Sequence, residues 1–485
     1  MFSEKLISLL QTFSKYELNR FKKFLLSPYL NDQDDLTRLF EVINRALRQE
    51  GDTAKNLDKE TVWKALYPGQ KPDDAHLRRL ASDLNQMALR FLAEEARREE
   101  PLNEALDLQK ILQKAELQKH LAGVERQIEK LLGQNEGKST DYYFAQFRNH
   151  WNIFNRASKM VATAGYTEKL FSADFHLECF YLAQKLKLYV AWLLYRGFRL
   201  TEREVPFIPG FWEYSREERF DAIPLIRVHR QVILCFTESD NEAHFEELLA
   251  GLKRDASELT RSDLRECYYI AQNYCALKIN QGKTEYYQKV FNIFRTMAEQ
   301  NILVEDGQLP EAVFKNIITS ALGVGEFAWT EQFIEQYAPF LPARIRENAR
   351  MFNLAYLYFY QKNYRKAIEY LRDVEYSDVV YSLGAKSILL RTYYEQGEYL
   401  ALDSLVDSFK IFLRRNKVIS KNLKREYNNF LNLVKKLTTV TASDKKAIAD
   451  LHRRVKETSY SMPKNWLLKK IAEIEGSGKR ENGPA

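Results

Sequence analysis

The chain has 485 residues, 45% of them hydrophobic and 29% charged, with only 18 Gly and 12 Pro. That length exceeds one compact core and implies roughly two to four domains or one extended repeat array, and the composition is too apolar for a disordered chain. The formal charge of +7 is concentrated at one end: residues 401–485 hold 19 Lys and Arg against 9 Asp and Glu, which leaves the first 400 at about −3.

Residues 1–100 read as a bundle of short helices. Phe13, Leu18, Phe21, Phe24 and Leu25 recur at helical spacing around Ser14, a candidate N-cap, and Pro28 closes the segment. A second helix follows Asp32 to Asp35, a third covers Lys59 to Leu66, and Tyr67 to Pro72 is the turn before a long helix from Asp73 to Arg98. From Pro101 to Leu132 the apolar spacing gives either one long helix or two with a break near Gly123. Gly133 to Thr140 is a loop, and helices over Asp141–Thr163 and Ser172–Tyr195 form a hairpin across Ala164, Gly165 and Tyr166. Three prolines between Gly197 and Pro224 mark an aromatic connecting loop around Phe211 and Trp212.

The longest apolar run, Leu188 to Tyr195, is far below the roughly 20 residues of a spanning helix, and the first ten residues lack a signal-peptide apolar region. Cys179, Cys235, Cys267 and Cys275 form no CxxC pair and fit a reducing compartment. The expectation is a cytoplasmic protein without a membrane partner.

After the loop the helices become periodic. In Asn348 to Tyr381, Leu354, Ala355, Tyr358, Tyr364, Ala367 and Leu371 alternate small and large positions; 35 residues on, Tyr358 maps to Tyr393 and Gln361–Tyr364 to Gln396–Tyr399. A step of 37 in the other direction aligns Phe314, Ile317, Ile318 and Gly325 to Phe327, and a looser unit begins near Leu264 with a turn at Gln281 to Lys283. This pattern resembles the tetratricopeptide repeat, over roughly 180 residues. Leu402 and Thr330 stand where that family usually has Ala.

The resemblance implies stacked helical hairpins forming a right-handed superhelix with a concave face lined by first helices. Its concave positions fall on Phe352, Tyr356, Phe359, Ser387, Arg391 and Tyr394. Lys315 and Asn353 match a carboxylate-clamping pattern of the family that Thr319, Gly384 and Ile388 break, so a full clamp is not expected. The partner-binding residues are therefore expected to be Lys315, Phe352, Asn353, Tyr356, Phe359, Arg391 and Tyr394.

Other patterns carry less chemistry. Gly133 to Ser139 lacks the four-residue spacing and preceding strand of a phosphate loop. His176 and Cys179 share one helix face at i, i+3, but no second such pair follows. Arg78, Arg79 and Asn85 could face a nucleic-acid groove, yet residues 1–100 balance 17 Lys and Arg with 17 Asp and Glu. The basic run Arg414, Arg415, Lys417, Lys421, Lys424 and Arg425 is the better polyanion candidate.

The expected fold is thus all-α: an N-terminal helical domain (1–100), long helical hairpins (101–200), a connecting loop (201–224), tetratricopeptide-like repeats (225–419), basic capping helices (420–475) and a disordered tail (476–485). The expected function is a non-enzymatic scaffold, without cofactor or metal, that binds a protein or peptide segment. A nucleic-acid-associated regulator is the alternative.

Overall fold

The computed structural model describes residues 3–48, 57–134, 137–157, 164–197, 203, 205–372, 374, 379–457 and 463–480. Their regular structure is helical; the one non-helical backbone pairing among the described residues is a bridge between Glu305 and Gln308. Two compact units divide the chain, residues 1–227 with 257–260, and residues 228–256 with 261–485. No helix among the described residues is long and apolar enough to cross a membrane.

The first unit opens with α1 (Glu4–Gln11), α2 (Lys15–Leu25), α3 (Asp34–Arg48), α4 (Lys59–Leu66) and α5 (Asp74–Arg98). Ser14 caps α2 as its sequence predicts: the Glu17 N–H donates to Ser14 Oγ at 3.2 Å and the Ser14 N–H donates to Glu17 Oε2 at 2.6 Å. The α1, α2, α3 and α4 helices all pack on α5, or on one another, around Phe21, whose ring meets Phe40 at 5.0 Å and Phe91 at 5.3 Å. Each such ring contributes about 1.5–3 kcal/mol by leaving water.

The segment after Pro101 is two helices, α6 (Pro101–Lys114) and α7 (Gln118–Gly133). The break falls at Ala115 to Leu117 rather than near Gly123, which sits inside α7. Glu116 takes a left-handed conformation (φ 56°) and the Leu117 N–H reaches back to Leu112 O at 3.1 Å, a helix-ending turn that ordinarily advertises itself with glycine. The long hairpin is α8 (Thr140–Ala157) and α9 (Ala164–Gly197). Ala164 to Tyr166, the predicted turn, begin α9 instead, and residues 158–163 lie outside the described residues.

Two short helices, α10 (Phe211–Tyr214) and α11 (Glu218–Asp221), interrupt the connecting loop, and α12 (Pro224–Thr237) follows. Phe207 stacks on Tyr189 of α9 at 4.3 Å and on Phe211 at 4.5 Å. The loop's aromatics thereby cover one side of α9.

The second unit continues with α13 (Ala243–Arg254), α14 (Arg261–Asn280), α15 (Tyr286–Glu299), α16 (Glu311–Gly323), α17 (Phe327–Tyr337), α18 (Arg346–Tyr360), α19 (Tyr364–Arg372), α20 (Val379–Gln396) and α21 (Tyr399–Arg415). It ends in α22 (Lys421–Leu437), α23 (Lys445–Lys456) and α24 (Lys464–Arg480). The last helix runs five residues past the predicted start of the tail at Gly476; residues 481–485 lie outside the described residues. Helices pair as α14 with α15, α16 with α17, α18 with α19 and α20 with α21, while α16 also packs on α18 and α18 on α20.

One turn closes the first helix of every pair. Gly282, Gly325, Lys362 and Gly397 all have positive φ, between 59° and 92°. The next N–H in each case returns five residues, Lys283 to Lys278 O, Glu326 to Ala321 O, Asn363 to Tyr358 O and Glu398 to Tyr393 O, at 2.9–3.1 Å. Of the small and large positions read from the repeat, Leu354, Ala355, Tyr358, Ala367 and Leu371 are buried and Tyr364 is half-buried. Thr330, in place of the usual Ala, is buried too and donates its hydroxyl to Glu326 O at 2.7 Å.

Candidate protein-binding face

The first helices α16, α18 and α20 share one packed surface. Tyr381 of α20 donates its hydroxyl to Glu311 of α16 at 2.6 Å and sets its ring edge-on to Phe352 of α18 at 5.5 Å. Gly384 lets Phe352 in: a Cβ there would stand 2.7 Å from the ring. Phe352 stacks in turn on Tyr356 at 6.3 Å, and Tyr356 meets Tyr360 edge-on at 5.0 Å, one helical turn further.

Arg391 closes this ladder from α20. Its guanidinium lies 4.7 Å from the Phe359 centroid and 5.6 Å from that of Tyr356, and Nε donates to Ser387 O at 3.3 Å. Tyr427 of α22 feels the same cation: burial pushes its phenol up to about 12 against the opposing pull of Arg391. Beyond it, Tyr394 packs against Trp466 of α24 at 5.3 Å, while Trp466 Nε1 and Lys470 Nζ each donate to the Glu395 carboxylate at 2.7 Å.

The predicted binding residues therefore divide. Lys315 is exposed, Tyr356 and Tyr394 are half-buried, and Phe352, Asn353, Phe359 and Arg391 are buried, as is Ser387. Asn353 donates one Nδ2 hydrogen to Ala349 O at 2.7 Å, its side chain is buried away from an incoming carboxylate, and its Oδ1 has no partner among the described residues. The buried members hold the ladder in place, while Lys315 and parts of Tyr356 and Tyr394 stay in solvent. Phe211, the aromatic of the connecting loop, is buried against Phe207 and Tyr181, and Trp212 is half-buried.

The basic run stays at the surface. Arg414 and Arg415 end α21, Lys417 lies in the turn, and Lys421, Lys424 and Arg425 open α22; five are exposed and Lys424 is half-buried. None of the six joins an ion pair among the described residues.

The remaining polar candidates are packed. His176 stacks on His150 at 5.2 Å, and burial lowers both imidazoles, His150 to about 4. Burial also pushes the Cys179 thiol up to about 12. No group of three or more His, Cys, Asp or Glu able to hold a metal occurs among the described residues. Gly137 (φ 89°) belongs to a backbone junction rather than a phosphate cradle: its Cβ would fall 2.5 Å from the Leu259 carbonyl carbon, and the Lys138 N–H donates to Glu258 O at 2.9 Å. Asn85, by contrast, is buried, which withdraws it from a nucleic-acid groove.

No family model, no curated protein and no solved structure matches this chain.

Proposed function

We propose that the chain is a non-enzymatic, cytoplasmic scaffold whose second unit is a tetratricopeptide-like solenoid that binds a protein segment across Lys315, Tyr356 and Tyr394. The observation that carries this reading is the turn repeated at Gly282, Gly325, Lys362 and Gly397, with first helices α16, α18 and α20 packed in succession. A single hairpin cannot bury both of its faces, so such units stack and curve into a right-handed superhelix, whose inner surface suits an extended peptide. An ammonium at Lys315 and a ladder of phenol rings ending at Tyr356 and Tyr360 offer one charge and several amphipathic contacts. That the partner is a protein rests on the analogy of architecture.

The test is a photo-crosslinking side chain placed at position 356 and, as control, at the exposed Asp407 of the second helix α21. The proposal expects a discrete protein adduct from position 356, suppressed by Lys315→Glu, and none from 407. Equal labelling from both positions, or adducts to nucleic acid alone, would remove it.

A second reading is favoured by the six cations between Arg414 and Arg425, which join no ion pair among the described residues. Clustered cations without partners attract phosphate backbones by counterion release. Affinity for random RNA or DNA that falls steeply with salt, and that drops on Arg414→Ala with Arg415→Ala, would support it; binding indifferent to salt would end it.

A further inference from the structure

Between α6, α8 and the Gly137 junction lies a cavity of about 770 Å³ within the first unit. Its lining carries four carboxylates, Glu99, Glu100, Asp107 and Asp141, against one guanidinium, Arg148. That guanidinium is committed: it donates to Asp107 Oδ1 and to Asn103 Oδ1, each at 2.8 Å. Glu100 accepts only the neutral amide of Asn103, at 2.5 Å, and neither Glu99 nor Asp141 joins an ion pair among the described residues. Three negative charges consequently face the cavity without a cation among the described residues.

The cavity continues onto an aromatic strip. Phe144, at its edge, is 39% exposed, and Trp151, two turns along α8, is 41% exposed. Phe147 and Phe154 complete the strip, with successive rings 6.1, 6.4 and 5.7 Å apart. The spacing of three, four and three residues keeps all four rings on one helix face. Phe144 already receives one cation, since the Arg148 guanidinium carbon lies 6.0 Å from its centroid. Large rings left in water beside uncompensated carboxylates are unfavourable for the isolated chain, and both are satisfied by the same chemistry, a side chain with an aliphatic stem and a cationic head.

We propose that this groove is a docking site for an arginine- and lysine-bearing peptide segment of a protein partner, its cations on Glu99, Glu100 and Asp141 and its aliphatic stems over Phe144 and Trp151. Charge complementarity selects the class of occupant: a nucleic acid or an acidic peptide would meet a surplus of like charge. The site is distinct from the surface around Tyr356, and neither proposal depends on the other.

The full-length protein should be titrated with a fluorescein-labelled nonapeptide of alternating arginine and alanine, followed by anisotropy. Saturable binding is expected, weakened at least tenfold by the combined Glu99→Gln, Glu100→Gln and Asp141→Asn substitutions, and about fivefold by Phe144→Ala, which changes no charge. Asp32→Asn with Asp34→Asn and Asp35→Asn, three carboxylates elsewhere in the unit, should leave the affinity unchanged, and so should Lys315→Glu. Helical circular dichroism and melting confirm that each variant is folded. The proposal is overturned by absence of saturation at millimolar peptide. It is equally overturned if Phe144→Ala binds as the parent does, if the distant triple weakens binding as the site triple does, or if an alternating glutamate-alanine peptide or single-stranded RNA competes for the same site.

Discussion

The guanidinium of Arg391 lies 4.7 Å from the ring of Phe359, so a buried cation on α20 is held by an aromatic face on α18. Cation–π contacts of this desolvated kind contribute about 2 kcal/mol, and the planar guanidinium stacks where an ammonium does not. Arg391→Lys keeps the charge and should lower the urea midpoint of the second unit by an amount equivalent to about 1–2 kcal/mol. Retention of full stability would show that charge alone, not stacking, matters at this position.

Gly384 and Phe352 should behave as a coupled pair. An alanine at 384 puts a methyl 2.7 Å from the Phe352 ring, and overpacking of this kind destabilises by about 1–3 kcal/mol. Phe352→Leu vacates that space, so the double variant should be more stable than the sum of the two single effects predicts. Strict additivity in thermal melts would mean that the α18–α20 contact is not packed as described.

Lys362 occupies the left-handed turn position that Gly282, Gly325 and Gly397 hold in the other hairpins. A side chain there costs about 1–2 kcal/mol relative to the right-handed region, offset in part by the greater freedom of glycine in the unfolded chain. Lys362→Gly should therefore stabilise by up to about 1 kcal/mol, and Gly397→Ala should destabilise by a similar or larger amount. Differential scanning calorimetry reads both signs.

The stacked pair His150 and His176 makes the α8–α9 hairpin sensitive to acid. Burial, then the neighbouring His176 and Lys169, hold His150 to about 4, and burial followed by Lys138 lowers His176 against the opposing hydrogen bond to Ser172. In the unfolded chain both would take up protons near 6.5. The unfolded state then binds more protons than the folded state between about pH 6.5 and 4, so stability is full above that window and declines as pH falls through it. Hydrogen exchange over residues 140–157 should accelerate from pH 7 to pH 5 beyond the intrinsic change, and His150→Phe should flatten that dependence.

Sequence periodicity revealed the hairpins because the repeats restate the same local demands: small residues such as Ala355 and Ala367 where helices touch, and a left-handed residue at the turn, the glycines Gly282, Gly325 and Gly397. The break at Glu116 stayed hidden because a residue other than glycine takes the left-handed turn. The exposure of the first-helix face was also beyond local pattern. Trp466 and Lys470 reach Glu395 from more than 70 residues away, and Tyr427 comes to Arg391 from a different helix, contacts that no repeat register encodes. The strip of Phe144, Phe147, Trp151 and Phe154 had a visible signal in its spacing, but that spacing reads equally well as core until burial is known.

The central claim is that a protein segment binds across Lys315, Tyr356 and Tyr394, and calorimetric titration of the segment captured at position 356 tests it most directly. The account predicts a single site with negative ΔCp and at least tenfold weaker binding to both Tyr356→Ala and Lys315→Glu, each folded as the parent. Affinity unchanged in both variants would contradict it.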